Sequence, residues 1–135
     1  MRIAIDIGGV ISKYPQIFKN LIETWRGHDI FIITDMHDKN EIIDLLKLNE
    51  VDVDADKVLP ADYKTHGEMC KAILCYSNKI DVLIDDFMGY LEWDSRWGLA
   101  PVRLLVMPDA FRPYWATDWK TRDELDFGRR CFKRG

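Results

Sequence analysis

Three apolar runs in this chain end in side chains suited to phosphate and metal chemistry. Arg2 to Ile7 reads RIAIDI and leads into Asp6-Ile7-Gly8-Gly9-Val10. Asp29 to Thr34 reads DIFIIT and ends in Thr34-Asp35, while Asp81 to Ile84 reads DVLI and ends in Asp85-Asp86. Lys64 stands just before Thr65, which with Glu68 spells the capping-box start of a helix. Packed carboxylates repel unless something positive sits between them, and hard oxygen ligands suit Mg²⁺. A lysine ammonium, a threonine hydroxyl and the free N–H groups of a Gly-Gly turn and a helix start are donors suited to a phosphoryl group. The combination points to metal-assisted phosphoryl transfer, with Asp6 as nucleophile.

These residues meet only if the right elements deliver them. Continuous Ile/Val/Leu runs bounded by polar or Gly/Pro residues suit strands buried on both faces, as in a parallel sheet. Beyond the three runs above, Lys57 to Leu59 reads as a weak strand and Val102 to Met107 as a fifth. Helical stripes fall between them. Ile17, Phe18, Leu21, Ile22 and Trp25 form one, closed by Gly27. Asp38 with Glu41 starts a second, ahead of Ile42, Ile43, Leu45, Leu46 and Leu48. Thr65 with Glu68 starts a third, carrying Met69, Ala72, Ile73 and Tyr76. Alternation on this scale predicts a doubly wound α/β sheet, in which ligands bind outside the carboxyl ends of the strands. Pro108 to Tyr114 is too rich in turn residues to continue an element, and Asp118 to Phe132 predicts a final helix.

Composition narrows the class. A chain of 135 residues and 15.9 kDa fits one domain. Folding would bury about two-thirds of its surface, enough for a core without disulfides or structural metal. We take residues 1–135 as that domain, with a core over 1–108 and an aromatic-rich extension over 109–135. Apolar and charged fractions of 47% and 31% exclude a disordered chain. No apolar run reaches the ~18 residues of a membrane span, and the N-terminus lacks a signal-peptide core. Cys70, Cys75 and Cys131 are odd in number and match no zinc spacing, so free thiols in the cytoplasm are expected. A net charge of −4 leaves no nucleic-acid footprint over the core, and the basic end at Arg129, Arg130, Lys133 and Arg134 reads as a solvated terminus.

The order of these motifs resembles the haloacid dehalogenase-like superfamily of Mg²⁺-dependent phosphohydrolases, over residues 2 to about 107. The family's first motif, a hydrophobic strand followed by Asp-x-Asp-Gly-Thr/Val, is similar to IAIDIGGV. It implies Asp6 as nucleophile, the Gly8 carbonyl as a metal ligand and Gly9 beside the phosphate. Its second motif is similar to FIIT and implies Thr34, with Asp35 beside it, as phosphate-binding residues. The third-motif lysine corresponds best to Lys64, with Lys71 as fallback. DVLIDD resembles the fourth motif and implies Asp86, with Asp85 beside it, as metal ligands. The fold so implied is a Rossmannoid three-layer sandwich of about five mainly parallel strands. The gaps from Asp6 to Thr34 and from Thr34 to Lys64 hold no cap domain. A capless site is open, which suits macromolecular phosphates or closure through a homo-oligomer, and it excludes water poorly.

One departure bears on activity. Family phosphatases usually carry a second Asp two residues after the nucleophile, as general acid and base, and here Gly8 stands there. Losing a positioned acid/base typically costs ~10²–10⁴-fold in rate. His37 or His66 could supply a proton instead, or be ordinary partly exposed histidines. The alternative is a catalytically weakened relative that binds metal, phosphate or a protein partner. A dehalogenase fits less well, because those relatives usually carry a cap. A receiver domain is rejected: its acidic pair ends strand one and its acceptor Asp ends strand three, whereas here a lone Asp ends strand one. Trp93 and Trp97, with Phe111, Tyr114, Trp115 and Trp119, could stack on a substrate, but edge-of-core packing is the simpler role.

Overall fold

The computed structural model describes residues 1–107. The predicted final helix, the aromatic residues from Phe111 onward, Cys131 and the basic end lie outside that range. Five strands form one sheet: β1 (Arg2–Ile5), β2 (Asp29–Thr34), β3 (Val58–Pro60), β4 (Val82–Asp85) and β5 (Val102–Leu105). Their order is β3-β2-β1-β4-β5, and every pairing is parallel. The fold class is therefore α/β, as the apolar runs predicted. Ile5 pairs with Ile32 on one side and Ile84 on the other, so the ends of β1, β2 and β4 reach the same edge of the sheet.

Alternate strand residues feed two separate cores, as the period of two requires. Ile3, Ile5, Ile30, Ile32 and Ile84 pack with α1 (Pro15–Thr24) and α2 (Lys39–Leu48) through Phe18, Ile22, Ile42 and Leu46. Ala4, Phe31, Ile33 and Leu83 pack on the opposite face with Cys70 and Cys75 of α4 (Cys70–Ser77) and with Tyr90. Cys70 and Cys75 are free thiols, which burial pushes up to about 11 and about 12. No helix among the described residues is long and apolar enough to cross a membrane.

Two helix boundaries differ from expectation. The first helix closes at Trp25, whose N–H donates to the Leu21 carbonyl while the Arg26 N–H donates to that of Glu23, so Gly27 lies beyond its cap. Between β3 and α4 the helix predicted from Thr65 is split. Asp62, not Thr65, caps a short helix α3 (Tyr63–His66), accepting the Thr65 N–H at 3.1 Å. Gly67 then takes a φ of +61°, a left-handed conformation that an ordinary residue resists, and helical structure resumes through Gly67–Met69 into α4. The second helix starts where the sequence places it: Asp38 accepts from the N–H groups of Asn40 and Glu41.

Candidate functional site

Asp6 directly follows β1 and is 6% exposed. Its N–H donates to the Ile84 carbonyl at 3.0 Å, which extends the β1–β4 ladder by one step. Its Oδ1 accepts both the Ile7 N–H, at 2.8 Å, and the Lys71 ammonium, at 3.1 Å. Both donors fall on Oδ1, and the Asp6 side chain is also hydrogen-bonded with the Asp86 carboxyl. The chain then turns through Gly8 and Gly9. Gly9 has a φ of +72°, and a Cβ built there would lie 2.0 Å from Asp86 Oδ2. The turn can run against the Asp86 carboxylate only because residue 9 has no side chain. Gly8 has an ordinary φ of −63° and open space around its would-be Cβ.

At the end of β4, Asp85 is fully buried. Its Oδ1 accepts the Phe87 N–H at 3.0 Å and its Oδ2 the Lys71 ammonium at 2.5 Å. One oxygen from each of Asp6, Asp85 and Asp86 lies within 4.8 Å of the others. Thr34, at the end of β2, is 1% exposed and accepts the Met36 N–H at 3.3 Å on its hydroxyl. The Asp35 carboxylate accepts the Tyr90 hydroxyl at 2.7 Å.

The charges in this cluster do not balance. Three carboxylates surround one ammonium, and Lys71 is itself fully buried. Burial works against its charged form, but Asp6 and Asp85 outweigh that cost and raise its pKa, so the ammonium stays charged. Burial pushes the Asp6 carboxyl well above the ordinary range; Lys71 opposes this, while Asp85 and Asp86 add to it. Burial and then Asp85 also raise Asp86. With Lys71 compensating one negative charge, the remainder calls for a proton or a cation. Hard carboxylate oxygens on three sides, with a backbone turn closing in at Gly8–Gly9, are a donor set that fits Mg²⁺.

The structure brings Asp6, Gly8, Gly9, Asp85 and Asp86 together and sets Thr34 and Asp35 at the neighbouring strand end. Of the two lysines, the fallback is the one in the cluster: Lys71, in the first turn of α4, sits between Asp6 and Asp85, while Lys64, on α3, is exposed. The cause is the break at Gly67, which separates the helix carrying Lys64 from the one that docks on the sheet. His37 and His66 are both exposed. The Asp62 carboxyl is held below its ordinary range chiefly by its hydrogen bonds from Thr65. Trp93 and Trp97 pack edge to face at 5.2 Å, and Trp97 stacks on Tyr76 at 5.0 Å. Because Tyr76 lies near the end of α4, five residues past Lys71, this cluster belongs to the far end of that helix. Tyr90 was not foreseen. It lies in a short turn, Met88–Leu91, with no periodicity or cap to mark it.

A scan against protein-family models finds no match, and searches of curated proteins and of solved structures find none either.

Proposed function

We propose that this chain is a cytoplasmic, Mg²⁺-dependent phosphohydrolase of the haloacid dehalogenase-like type, without a cap, acting through an aspartyl-phosphate on Asp6. The observation that carries the reading is the nearly buried Asp6 carboxylate, held on Oδ1 by Lys71 at 3.1 Å and flanked by Asp85 and Asp86 at the carboxyl edge of a parallel sheet. Asp6, Asp86 and Asp85, with the Gly8 carbonyl, would hold the metal. When bound, Mg²⁺ offsets the carboxylates' repulsion and draws charge from the phosphoryl oxygens. Asp6 Oδ2 attacks phosphorus, and the bond to the leaving oxygen breaks. That oxygen leaves with a proton taken from water. A second water then attacks phosphorus, releasing inorganic phosphate and regenerating the Asp6 carboxylate. Lys71 holds Asp6 in place and offsets charge as the phosphoryl group approaches, and Thr34 supplies a hydroxyl at the next strand end. Between Asp6 and β2 lie the Ile7–Ile11 turn and α1, and between β2 and α4 lie α2, β3, α3 and the short turns Ala55–Lys57 and Gly67–Met69, which supports the capless form. Buried free thiols at Cys70 and Cys75 support a reducing compartment. The substrate is a phosphorylated small molecule or macromolecule.

The test is a thermal-shift titration with Mg²⁺, alone and with beryllofluoride, which mimics an aspartyl-phosphate, on wild type and Asp6→Asn. A beryllofluoride-dependent gain of ~2.7 kcal/mol at 100 times its Kd is expected in wild type only. An equal gain in Asp6→Asn sinks the mechanism. A second reading, a site that binds metal and phosphate without turnover, is favoured by one observation: Gly8 offers no acid or base. Gly8→Asp separates the two. The open space there accepts the side chain, and a gain in phosphoester turnover of about 10²-fold or more is expected if Gly8 is what limits hydrolysis.

A further inference from the structure

Tyr90 is 1% exposed and touches both halves of the site. Its ring face lies 4.4 Å from the Lys71 ammonium, and its hydroxyl donates to Asp35 Oδ2 at 2.7 Å. Phe87 packs edge-on against that ring at 5.0 Å and Tyr63 at 6.2 Å, which fixes its orientation. One side chain from the turn after β4 thus reaches the residue that follows β2, passing the end of β1.

We propose that Tyr90 is a positioning residue that shapes the phosphate side of this site, a role that rests on the phosphohydrolase reading above. Two contacts divide the work. The electron-rich ring face gives the buried ammonium a third favourable neighbour besides Asp6 and Asp85, so Lys71 has one stable place rather than several. The hydroxyl deals with a liability. Asp35 follows Thr34 directly, and a free carboxylate there would repel an incoming phosphoryl group. The Tyr90 hydroxyl pins that carboxylate toward the turn after β4.

Tyr90→Phe keeps the ring and removes the hydroxyl bond; Tyr90→Leu removes both contacts. The full chain is examined in two ways. Binding of Mg²⁺ alone, and of beryllofluoride in saturating Mg²⁺, is measured by thermal shift. The Lys71 ammonium is followed by proton–nitrogen NMR, where a cation over a ring face resonates upfield. In Tyr90→Phe, Mg²⁺ affinity stays within twofold and beryllofluoride affinity falls three- to tenfold, while the Lys71 signal keeps its ring-shifted position. In Tyr90→Leu that signal moves downfield. Adding Asp35→Asn to Tyr90→Phe removes the charge that needed pinning and restores beryllofluoride affinity to within twofold of wild type. A merely structural role predicts that Mg²⁺ and beryllofluoride binding fall together and that Asp35→Asn rescues nothing, and that pattern overturns the proposal. An unmoved Lys71 signal in Tyr90→Leu, or no loss in Tyr90→Phe, overturns it as well. If wild type ignores beryllofluoride, the phosphohydrolase reading and the Asp35 role both fall, and the Lys71 signal still decides whether Tyr90 positions the ammonium.

Discussion

A buried ammonium is costly, and Lys71 repays its burial only because two carboxylates meet it, Asp6 at 3.1 Å and Asp85 at 2.5 Å. Replacing it removes the compensation for both at once. Lys71→Met should therefore cost about 3–5 kcal/mol at neutral pH, the usual consequence of orphaning buried charge. The loss should shrink as pH falls and the raised Asp6 carboxyl takes up its proton. Lys64→Ala, on an exposed side chain, should change stability by no more than about 0.5 kcal/mol. Denaturant unfolding of the two variants at two pH values checks both statements; equal, small losses would remove Lys71 from the centre of the site. The sequence alone offered both lysines, and its strongest local cue, a capping box at Thr65, favoured the exposed one. That cue competed with Asp62, three residues earlier and also a good cap, and with Gly67, whose positive φ becomes visible only in the fold. Asp6, Thr34, Asp85 and Asp86 were legible because each ends a run of apolar residues. Tyr90 was not, because a tyrosine in a short turn carries no periodic signal of what it will touch.

At the level of elements, the informative one is the turn from Asp6 into Val10, where two adjacent glycines have opposite tolerances. Gly9 combines a φ of +72° with a close approach to Asp86 Oδ2, so Gly9→Ala should cost about 1–3 kcal/mol. It should also weaken Mg²⁺ binding by pushing the Asp86 carboxylate aside. Gly8→Ala has neither problem and should leave stability within about 0.5 kcal/mol. Thermal denaturation of both, with and without Mg²⁺, reads the contrast, and equal costs would mean that the turn does not close on Asp86. The strands were the most legible elements, since β2 runs from Asp29 to Thr34 as predicted. Strand ends moved by one or two residues elsewhere: β1 stops at Ile5 and β5 at Leu105, short of the apolar runs that contain them. In β1 the reason is physical: Asp6 leaves the strand to enter the glycine turn.

For the whole molecule, the excess negative charge at one edge of the sheet links stability to pH. Asp6 and Asp86 have carboxyls raised by burial and by their neighbours. In the window between the unfolded carboxyl pKa, about 4, and their higher native values, the folded state holds more protons than the unfolded one. Their contribution therefore falls as pH rises through that window. Lys71 does not offset this, because its raised pKa matters only above about pH 10. A cation replaces the lost protons, so the stabilisation by Mg²⁺ should grow as pH rises above the unfolded carboxyl value of about 4. In Asp86→Asn that growth should be clearly smaller. Melting curves across this range test the linkage, and a Mg²⁺ effect independent of pH would contradict it.

The strand order has a consequence for how the chain is made. β1 is the first strand in sequence and the middle one in space, so it gains its β2 neighbour early and waits for residues 82–85 before its other side is covered. During N-to-C synthesis, β2 and β3 can join β1 while β4 is still inside the ribosome. Lys71 emerges before Asp85 and Asp86. The ammonium is thus available to Asp6 before the other two carboxylates arrive, and the last step of sheet assembly adds negative charge to a place where positive charge already waits.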